Sequence, residues 1–366
     1  MIDEHATATW FSKPGDSIRA IMQRRNISAH ELAQRFDDGL DAVRSLIDGS
    51  RQIDEATAAT LSAILGATTK FWLKRQENFD TAVERAVVQV RESGQEDLLL
   101  SLPAPDRRAS GRLTSERRAA EIRKRLVFYN VPDAESWTGR YGRLVGETDY
   151  RTSKTYASKE EATLLWLRRG ELEADMIQTR PWNSGNLMDR LQEIRKLSMI
   201  RHPERFLPRL RALCSEAGVA LVVVKAPEGC RASGAIRMVD PDKAMLLLSF
   251  RYKRDDQFWF TVFHEMGHLV LHKANTFVDD EALPGDADRE DEANAFAAEC
   301  IIPPLRESEF ERVQPKKDDI VRFSVSIGVA PGLTVGQMQH RGMLAPEKLN
   351  YLKRTWDWTQ INPATV

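Results

Sequence analysis

The hydrophobic pattern changes at Gly218, and this change limits the folds open to the chain. Before Gly218 the apolar residues recur at helical spacing, whereas GVALVVV, SGAIRMV and KAMLLLSFRY after it are short, branched-rich segments separated by Gly, Pro and Asp. Segments of this kind are typical of strands. They lead into a predicted helix over 255–272 and then a second helix over 289–302. A small sheet followed by two helices predicts an α+β domain over 217–366.

The first 90 residues predict a bundle of short helices. Ser28 followed by Glu31 forms a capping box at the start of the second helix. Gly49 and Gly66 stand where the third and fourth helices should end. Short helices joined by turns of three or four residues are typical of a helix-turn-helix bundle, which we predict over 1–90.

Two further segments join these domains. Residues 91–113 are rich in Gly, Ser, Pro and Arg and predict a linker, and residues 114–216 again show helical periodicity. The predicted fold class is therefore multidomain, mainly α plus α+β. It comprises an N-terminal helix-turn-helix bundle, a helical middle segment leading into the last domain, and a C-terminal domain with a small sheet.

Composition restricts the compartment and the class of protein. Of 366 residues, 42% are hydrophobic and 29% are charged, which is the balance of a globular protein with two or three domains. The apolar run VALVVV (219–224) is far too short to span a bilayer, so no membrane partner is expected. The N-terminus lacks a signal-peptide pattern, and the three cysteines form no CxxC pair. These features predict a cytoplasmic protein with reduced thiols.

The segment HEMGHLVLH (264–272) carries the chemistry of the C-terminal domain. His264 and His268 lie one helical turn apart and can offer two imidazoles to one ion, while Glu265 is offset by about 100° around the helix axis. That position suits a base acting on a metal-bound water, as in the HExxH arrangement of zinc peptidases. The alternative is an amphipathic helix with its histidines in water. The preceding strand, the run FWFTVF and the acidic helix that follows favour the metal site.

A catalytic zinc site needs a third protein ligand. His272 lies about 12 Å along the helix from His264, too far for a shared ion, and is expected to cap or pack near the helix end. Glu292 on the following helix is the preferred candidate, because a carboxylate from the next helix completes a gluzincin-like site. Three acidic residues on the same helix remain rivals: Glu290, Asp291 and Glu299.

The sequence resembles two known families. QFWFTVFHEMGHLVLH, EDEANAFAAECIIPP and GVAPGLTVGQMQHRGML resemble the ImmA/IrrE metallo-endopeptidases, over roughly residues 115–355. PGDSI, NISAHELAQRF, DG, TAATLSAILG and TTKFW in the first 80 residues resemble the XRE/HigA-like helix-turn-helix. The first resemblance implies that His264, His268 and Glu292 bind Zn²⁺ and that Glu265 is the general base.

The ImmA/IrrE resemblance also implies a substrate. In that family it is often a helix-turn-helix repressor encoded nearby, whose cleavage changes gene expression. Zinc would lower the pKa of its bound water and polarise the scissile carbonyl, and Glu265 would take the proton. Arg237, Tyr252 and His340 are conceivable oxyanion donors, and none is assigned. A homodimer is left open by the sequence.

The competing function is a transcription regulator or a HigA-type antitoxin in which the zinc domain is a sensor or a scaffold. HigA-like modules often neutralise a small toxin, which is therefore a second predicted partner. The helix that would enter the DNA major groove is DDGLDAVRSLIDG (37–49), with Arg44 and then Arg51 as candidate DNA contacts. Asp37, Asp38 and Asp41 in its first part oppose binding to phosphate. DNA binding and a role in dimerisation or partner binding both stay open.

Overall fold

The structure is a computed structural model that describes residues 10–104, 114–142, 154–272, 277–278 and 287–361. The chain divides into two compact units. The first comprises Met1–Gln178 and Pro227–Cys230, and the second comprises Thr179–Ala226 and Arg231–Val366.

The described regular elements of the first unit are all helices, joined by turns and short loops. Its helices are α1 (Pro14–Arg25), α2 (Ala29–Ala33), α3 (Gly39–Asp48), α4 (Glu55–Leu65), α5 (Thr69–Glu92), α6 (Glu96–Ser101), α7 (Ser115–Tyr129), α8 (Ala134–Tyr141) and α9 (Lys154–Ala174). The predicted capping box is confirmed, because the Ser28 hydroxyl accepts from the Glu31 amide and the Glu31 carboxylate accepts from the Ser28 amide. Gly49 and Gly66 end α3 and α4 with φ angles of 84° and 74°, which glycine adopts without steric cost.

The predicted linker over 91–113 is wrong where the structure describes it. α5 runs to Glu92 and α6 follows almost at once. Leu99 and Leu102 are fully buried in a core shared with residues of α5, α7, α8 and α9, because the apolar run inside this polar stretch packs on those helices. Residues 105–113 lie outside the described residues. The predicted boundaries at 90 and 113 thus cut through one compact unit, whose last residue before the second unit is Gln178.

The second unit contains the sheet and the remaining helices. The described elements are α10 (Ser184–Leu197), α11 (Pro203–Glu216), β1 (Val219–Val223), β2 (Gly234–Asp240), β3 (Lys243–Leu248), α12 (Asp255–Leu271), β4 (Phe277–Val278), α13 (Ala287–Ile301), α14 (Glu307–Phe310), α15 (Lys317–Ile327), α16 (Pro331–His340) and α17 (Trp358–Ile361). Short 3₁₀ turns lie at Pro304–Arg306 and Asn350–Leu352. The three predicted strands and the two predicted helices are confirmed, and β4 is an addition.

The sheet has the strand order β1-β3-β2-β4. β1 pairs with β3 in parallel, and β2 pairs antiparallel with both β3 and β4. The whole of β1 is buried, as are five of the six residues of β3, so these strands form part of the core that also receives α11 and α12. The fold is mostly helical with a small mixed sheet, as predicted. None of the described helices combines the length and apolar character that a bilayer crossing requires.

Candidate metal centre

α12 is buried on almost every side. Its aromatic and aliphatic residues Trp259, Val262 and Phe263 are fully buried, and so are both histidines of its HExxH segment. A helix that is apolar all round belongs in a core and has its orientation fixed by its neighbours. The histidines are therefore held by packing, not displayed on a solvated face, which excludes the water-facing alternative.

The two histidines of α12 point their outer ring nitrogens at the same place. His264 Nε2 and His268 Nε2 are 3.1 Å apart. The carboxylate of Glu290, on α13, faces both: its Oε2 is 3.3 Å from His264 Nε2 and its Oε1 is 3.3 Å from His268 Nε2. Two imidazoles and one carboxylate are thus brought together from adjacent helices.

The close approach of α12 and α13 makes this convergence feasible. A Cβ atom added at Gly267 would lie 3.2 Å from the Cα of Ala293 and 3.2 Å from the ring of Phe296. Glycine and alanine at this crossing let the two backbones come together, as small residues do where helices pack closely. Glu290 lies one turn before Ala293 and is carried onto the His264–His268 face.

The structure does not place Glu292 in this group, which corrects the prediction. Its side chain is 62% exposed, and its Oε2 lies 2.9 Å from His272 Nε2. The physical reason is helix geometry: residues two apart are separated by about 200° around an α-helix, so Glu290 and Glu292 face different ways. Of the three rival acidic residues, Asp291 and Glu299 are exposed. Glu290 lies where the third metal ligand was expected.

His272 caps α12, as predicted. Its backbone is extended (φ −110°, ψ 132°), and its amide donates to the carbonyl of His268. Its ring is buried and contacts one of the converging histidines: His272 Nδ1 lies 3.0 Å from His268 Nδ1. On the other histidine, His264 Nδ1 lies 3.0 Å from the Oδ1 of Asn294.

The electrostatics favour the metal-binding forms of Glu290 and His268. The close contacts with His264 and His268 lower the pKa of Glu290 to about 2, so it is a carboxylate at neutral pH. Burial lowers the pKa of His268 below its usual range and favours the neutral imidazole. A deprotonated carboxylate and neutral imidazoles are the forms that bind metal ions.

Glu265 directly follows His264 on α12, and its side chain is buried against the start of β2. A Cβ atom added at Gly234 would stand 2.5 Å from Glu265 Oε1 and 2.7 Å from the Thr261 methyl carbon, so only glycine leaves room for the carboxylate there. An isolated glycine in a strand pattern often marks a close approach of this kind. Gly234 is thus a residue of the site that the sequence analysis did not identify. The isolated glycine in a predicted strand was the signal that could have identified it.

The donor set fits zinc. Tetrahedral ligands bound at 2.0–2.1 Å lie about 3.3 Å from one another, and two histidines with one carboxylate are a ligand set of catalytic zinc sites. The separations of 3.1 to 3.3 Å among His264, His268 and Glu290 agree with that spacing. Residues 223–331 match the IrrE N-terminal-like domain of peptidase family M78. Searches of curated proteins and of solved structures gave no match.

The match to the M78 domain supports the ImmA/IrrE resemblance for this part of the chain and indicates a metallopeptidase-like domain, in a family that is typically zinc-dependent. It contains β2, β3, α12 and α13, and so all three donors and Glu265. It is shorter than the segment of roughly 115–355 over which the resemblance was predicted. The helix-turn-helix resemblance lies outside it.

The matched segment contains another feature that could have identified Glu290 from sequence. Ala293 and Ala297 are fully buried on α13 and define its inner face. Glu290 precedes them by three and seven residues, which is the spacing of one helix face. Glu292 does not share that spacing. Glu292 lies on the same helix as Glu290 but on a different face of it.

The candidate DNA contacts lie outside the matched segment, and both are engaged with carboxylates of their own unit. Arg44 Nε lies 2.8 Å from Glu173 Oε1 on α9, and its Nη1 lies 2.7 Å from Asp41 Oδ1. Arg51 Nη1 lies 2.9 Å from Asp38 Oδ2. The conceivable oxyanion donors lie on β2 (Arg237), in the turn before α12 (Tyr252) and at the end of α16 (His340).

Proposed function

We propose that this chain is a zinc-dependent endopeptidase that cuts a partner regulatory protein. The partner that we predict is a helix-turn-helix repressor. One observation carries the proposal: His264, His268 and Glu290 converge with the spacing of zinc ligands, and the buried Glu265 follows His264 on the same helix. The match to the M78 domain supports the peptidase class.

Metal binding and proton transfer are assigned to different residues of the site. His264, His268 and Glu290 would hold zinc, which when bound supplies a Lewis acid and lowers the pKa of water. Glu265, adjacent in sequence but not part of the convergent group, takes the proton of the attacking water and can deliver it to the leaving amine. Burial of Glu265 and of both histidines keeps bulk water away and strengthens the electrostatic interactions in the site.

The substrate and the compartment follow from the resemblance and the thiols. A regulatory protein fits a peptidase of narrow specificity in the ImmA/IrrE family, and control of gene expression follows from its removal. We propose the cytoplasm as the compartment of the reaction, because the thiols of Cys214, Cys230 and Cys300 stay reduced there. DNA binding through Arg44 and Arg51 and the alternative antitoxin role stay predictions. In the structure, both arginines form ion pairs with carboxylates of their own unit.

Zinc content tests the ligand set. Purified wild-type chain should bind one zinc ion, and Glu290→Ala and His268→Ala should each lose stoichiometric zinc because a metal ligand is missing. Glu299→Ala, a change on the same helix, is the matched control and should bind zinc like the wild type. The ligand assignment is wrong if Glu290→Ala retains wild-type zinc binding.

Cleavage tests the role of Glu265. Co-expression with repressors encoded beside the gene should give a specific cut with the wild type, and Glu265→Gln should slow it by at least about a hundredfold because the proton acceptor is lost. Zinc should remain bound in this variant. Undiminished cleavage by Glu265→Gln would rule out the proposed general base.

A further inference from the structure

A chain of side-chain contacts leads outward from His268. His268 Nδ1 lies 3.0 Å from His272 Nδ1, and His272 Nε2 lies 2.9 Å from Glu292 Oε2. The rings of His268 and His272 are both buried, whereas the carboxylate of Glu292 is 62% exposed. The three residues form a relay from the interior of the site to its surface.

With the rings of His268 and His272 both neutral, the contacts fix one arrangement of their protons. The carboxylate of Glu292 only accepts, so His272 Nε2 carries the proton of that contact. The neutral His272 ring then has a bare Nδ1, which accepts the proton carried by His268 Nδ1. This leaves Nε2 of His268 without a proton, directed toward His264 Nε2 and Glu290. Each contact holds one proton, and the inward nitrogen of His268 carries none.

His264 has a simpler arrangement with the same result. Its Nδ1 lies 3.0 Å from the Oδ1 of Asn294, an acceptor, so Nδ1 carries the proton and Nε2 is bare. Two bare nitrogens 3.1 Å apart, with a carboxylate facing both, repel one another unless a cation lies among them. The outer contacts therefore prepare the inner nitrogens for a cation.

We propose that His272 and Glu292 act as positioning residues that hold His268 in the tautomer with Nε2 open to the metal, and that Asn294 does the same for His264. This rests on the proposed zinc site and deepens it. Outer partners of ligating histidines fix the tautomer and the ring orientation, and their loss usually weakens metal binding about 10–100-fold. Glu292 thus acts on the site through His272, although it does not itself bind the metal.

The first experiment measures the tautomers directly. Long-range ¹H–¹⁵N correlation spectra of the full chain with ¹⁵N-labelled histidine distinguish protonated from bare ring nitrogens. We expect His264 and His268 to be protonated on Nδ1 and His272 on Nε2, with His272→Phe assigning the signals of His272. A proton on Nδ1 of His272 with a bare Nε2 overturns the proposal.

The second experiment measures zinc affinity by competition with a chromophoric chelator. Glu292→Ala and His272→Phe should each bind zinc about 10–100-fold more weakly than the wild type. Glu292→Gln should lose less than Glu292→Ala, because the amide oxygen still accepts from His272. Glu299→Ala is the matched control. The exposed Glu292 gives a test that does not depend on core packing, should His272→Phe fail to fold.

The outcomes separate this inference from the proposed function. A wild type that binds no zinc contradicts the proposed function itself. A wild type that binds zinc while Glu292→Ala and His272→Phe match its affinity contradicts only the positioning role. A Glu292→Ala variant that loses zinc as completely as Glu290→Ala also contradicts it, since Glu292 would then be a ligand.

Discussion

At the scale of single residues, the site depends on a glycine as much as on its charged groups. Gly234 begins β2 and faces Glu265 and Thr261, one turn apart on α12. Its missing side chain sets where the carboxylate of Glu265 can lie. A buried carboxylate held by packing is preorganised for proton transfer, and displacement by about 1 Å can cost a hundredfold in rate.

Gly234→Ala should therefore reduce cleavage by about a hundredfold while zinc stays bound, since the added methyl group displaces Glu265 and not the three ligands. Overpacking should also destabilise the second unit by about 1–3 kcal/mol. Glu265→Ala removes the clashing carboxylate, so the stability losses of the two variants should not add in the double variant. Thermal unfolding and zinc content measure these effects, and Gly139→Ala, where a Cβ would have open space, is the control. Simple addition of the two losses would contradict the proposed contact.

The residue scale also shows what the sequence could and could not predict. The spacing of His264, Glu265 and His268 fixes their arrangement on one helix, because an α-helix is a local structure. The third donor comes from another helix, and its identity depends on how α13 is rotated against α12. That rotation is set by the contact of Gly267 with Ala293 and Phe296, which no local pattern states.

At the scale of elements, α12 is held at its N-terminus by two buried aspartates. The backbone of residues 353–355 runs beside it: Asp255 exchanges backbone and side-chain hydrogen bonds with Arg354. Asp256 pairs with the buried Lys353, at 2.6 Å. Burial, together with the neighbouring Asp256, raises the pKa of Asp255 to about 7. The first turn of the histidine-bearing helix is thus sensitive to pH.

The sign of this sensitivity follows from the raised pKa. The folded state keeps the proton of Asp255 up to about pH 7, while the unfolded state releases it near pH 4. Stability should fall as pH rises from 4 through 7, with the full loss present above 7. Asp255→Asn imitates the protonated acid, so it should be more stable than the wild type at pH 8 and nearly equal at pH 4. Chemical denaturation at both pH values measures this.

Asp256→Asn is the contrasting variant at the same helix end. It leaves the buried ammonium group of Lys353 without its carboxylate and should destabilise the protein by about 3 kcal/mol at neutral pH. An Asp255→Asn variant that is less stable than the wild type at pH 8 would show that Asp255 is ionised in the native state.

At the scale of the whole molecule, each unit has its own core, and the unit boundary follows neither composition nor the family match. The Gly- and Pro-rich stretch after residue 92 suggests a linker, yet its Leu99 and Leu102 are buried in the core of the first unit. The M78 match begins at residue 223, within β1, although the core of the second unit also takes residues from α10, α11 and α17. Local composition cannot show such long-range packing, so the elements were predicted well and the boundaries poorly.

The fragment 179–366 should fold by itself and bind one zinc ion with an affinity within about threefold of that of the full chain, because its core and all the site residues are its own. The shorter fragment 223–331 lacks α10, α11 and most of β1, and with them Phe206, Leu207 and Leu210, which are fully buried. It also lacks most of α16 and the buried Trp356. Losing several large core side chains costs more than the few kcal/mol by which a domain is usually stable, so this fragment should remain unfolded. Circular dichroism and zinc titration of both fragments measure the difference. If 223–331 folds and binds zinc like 179–366, the helices before β1 are not needed to position the site.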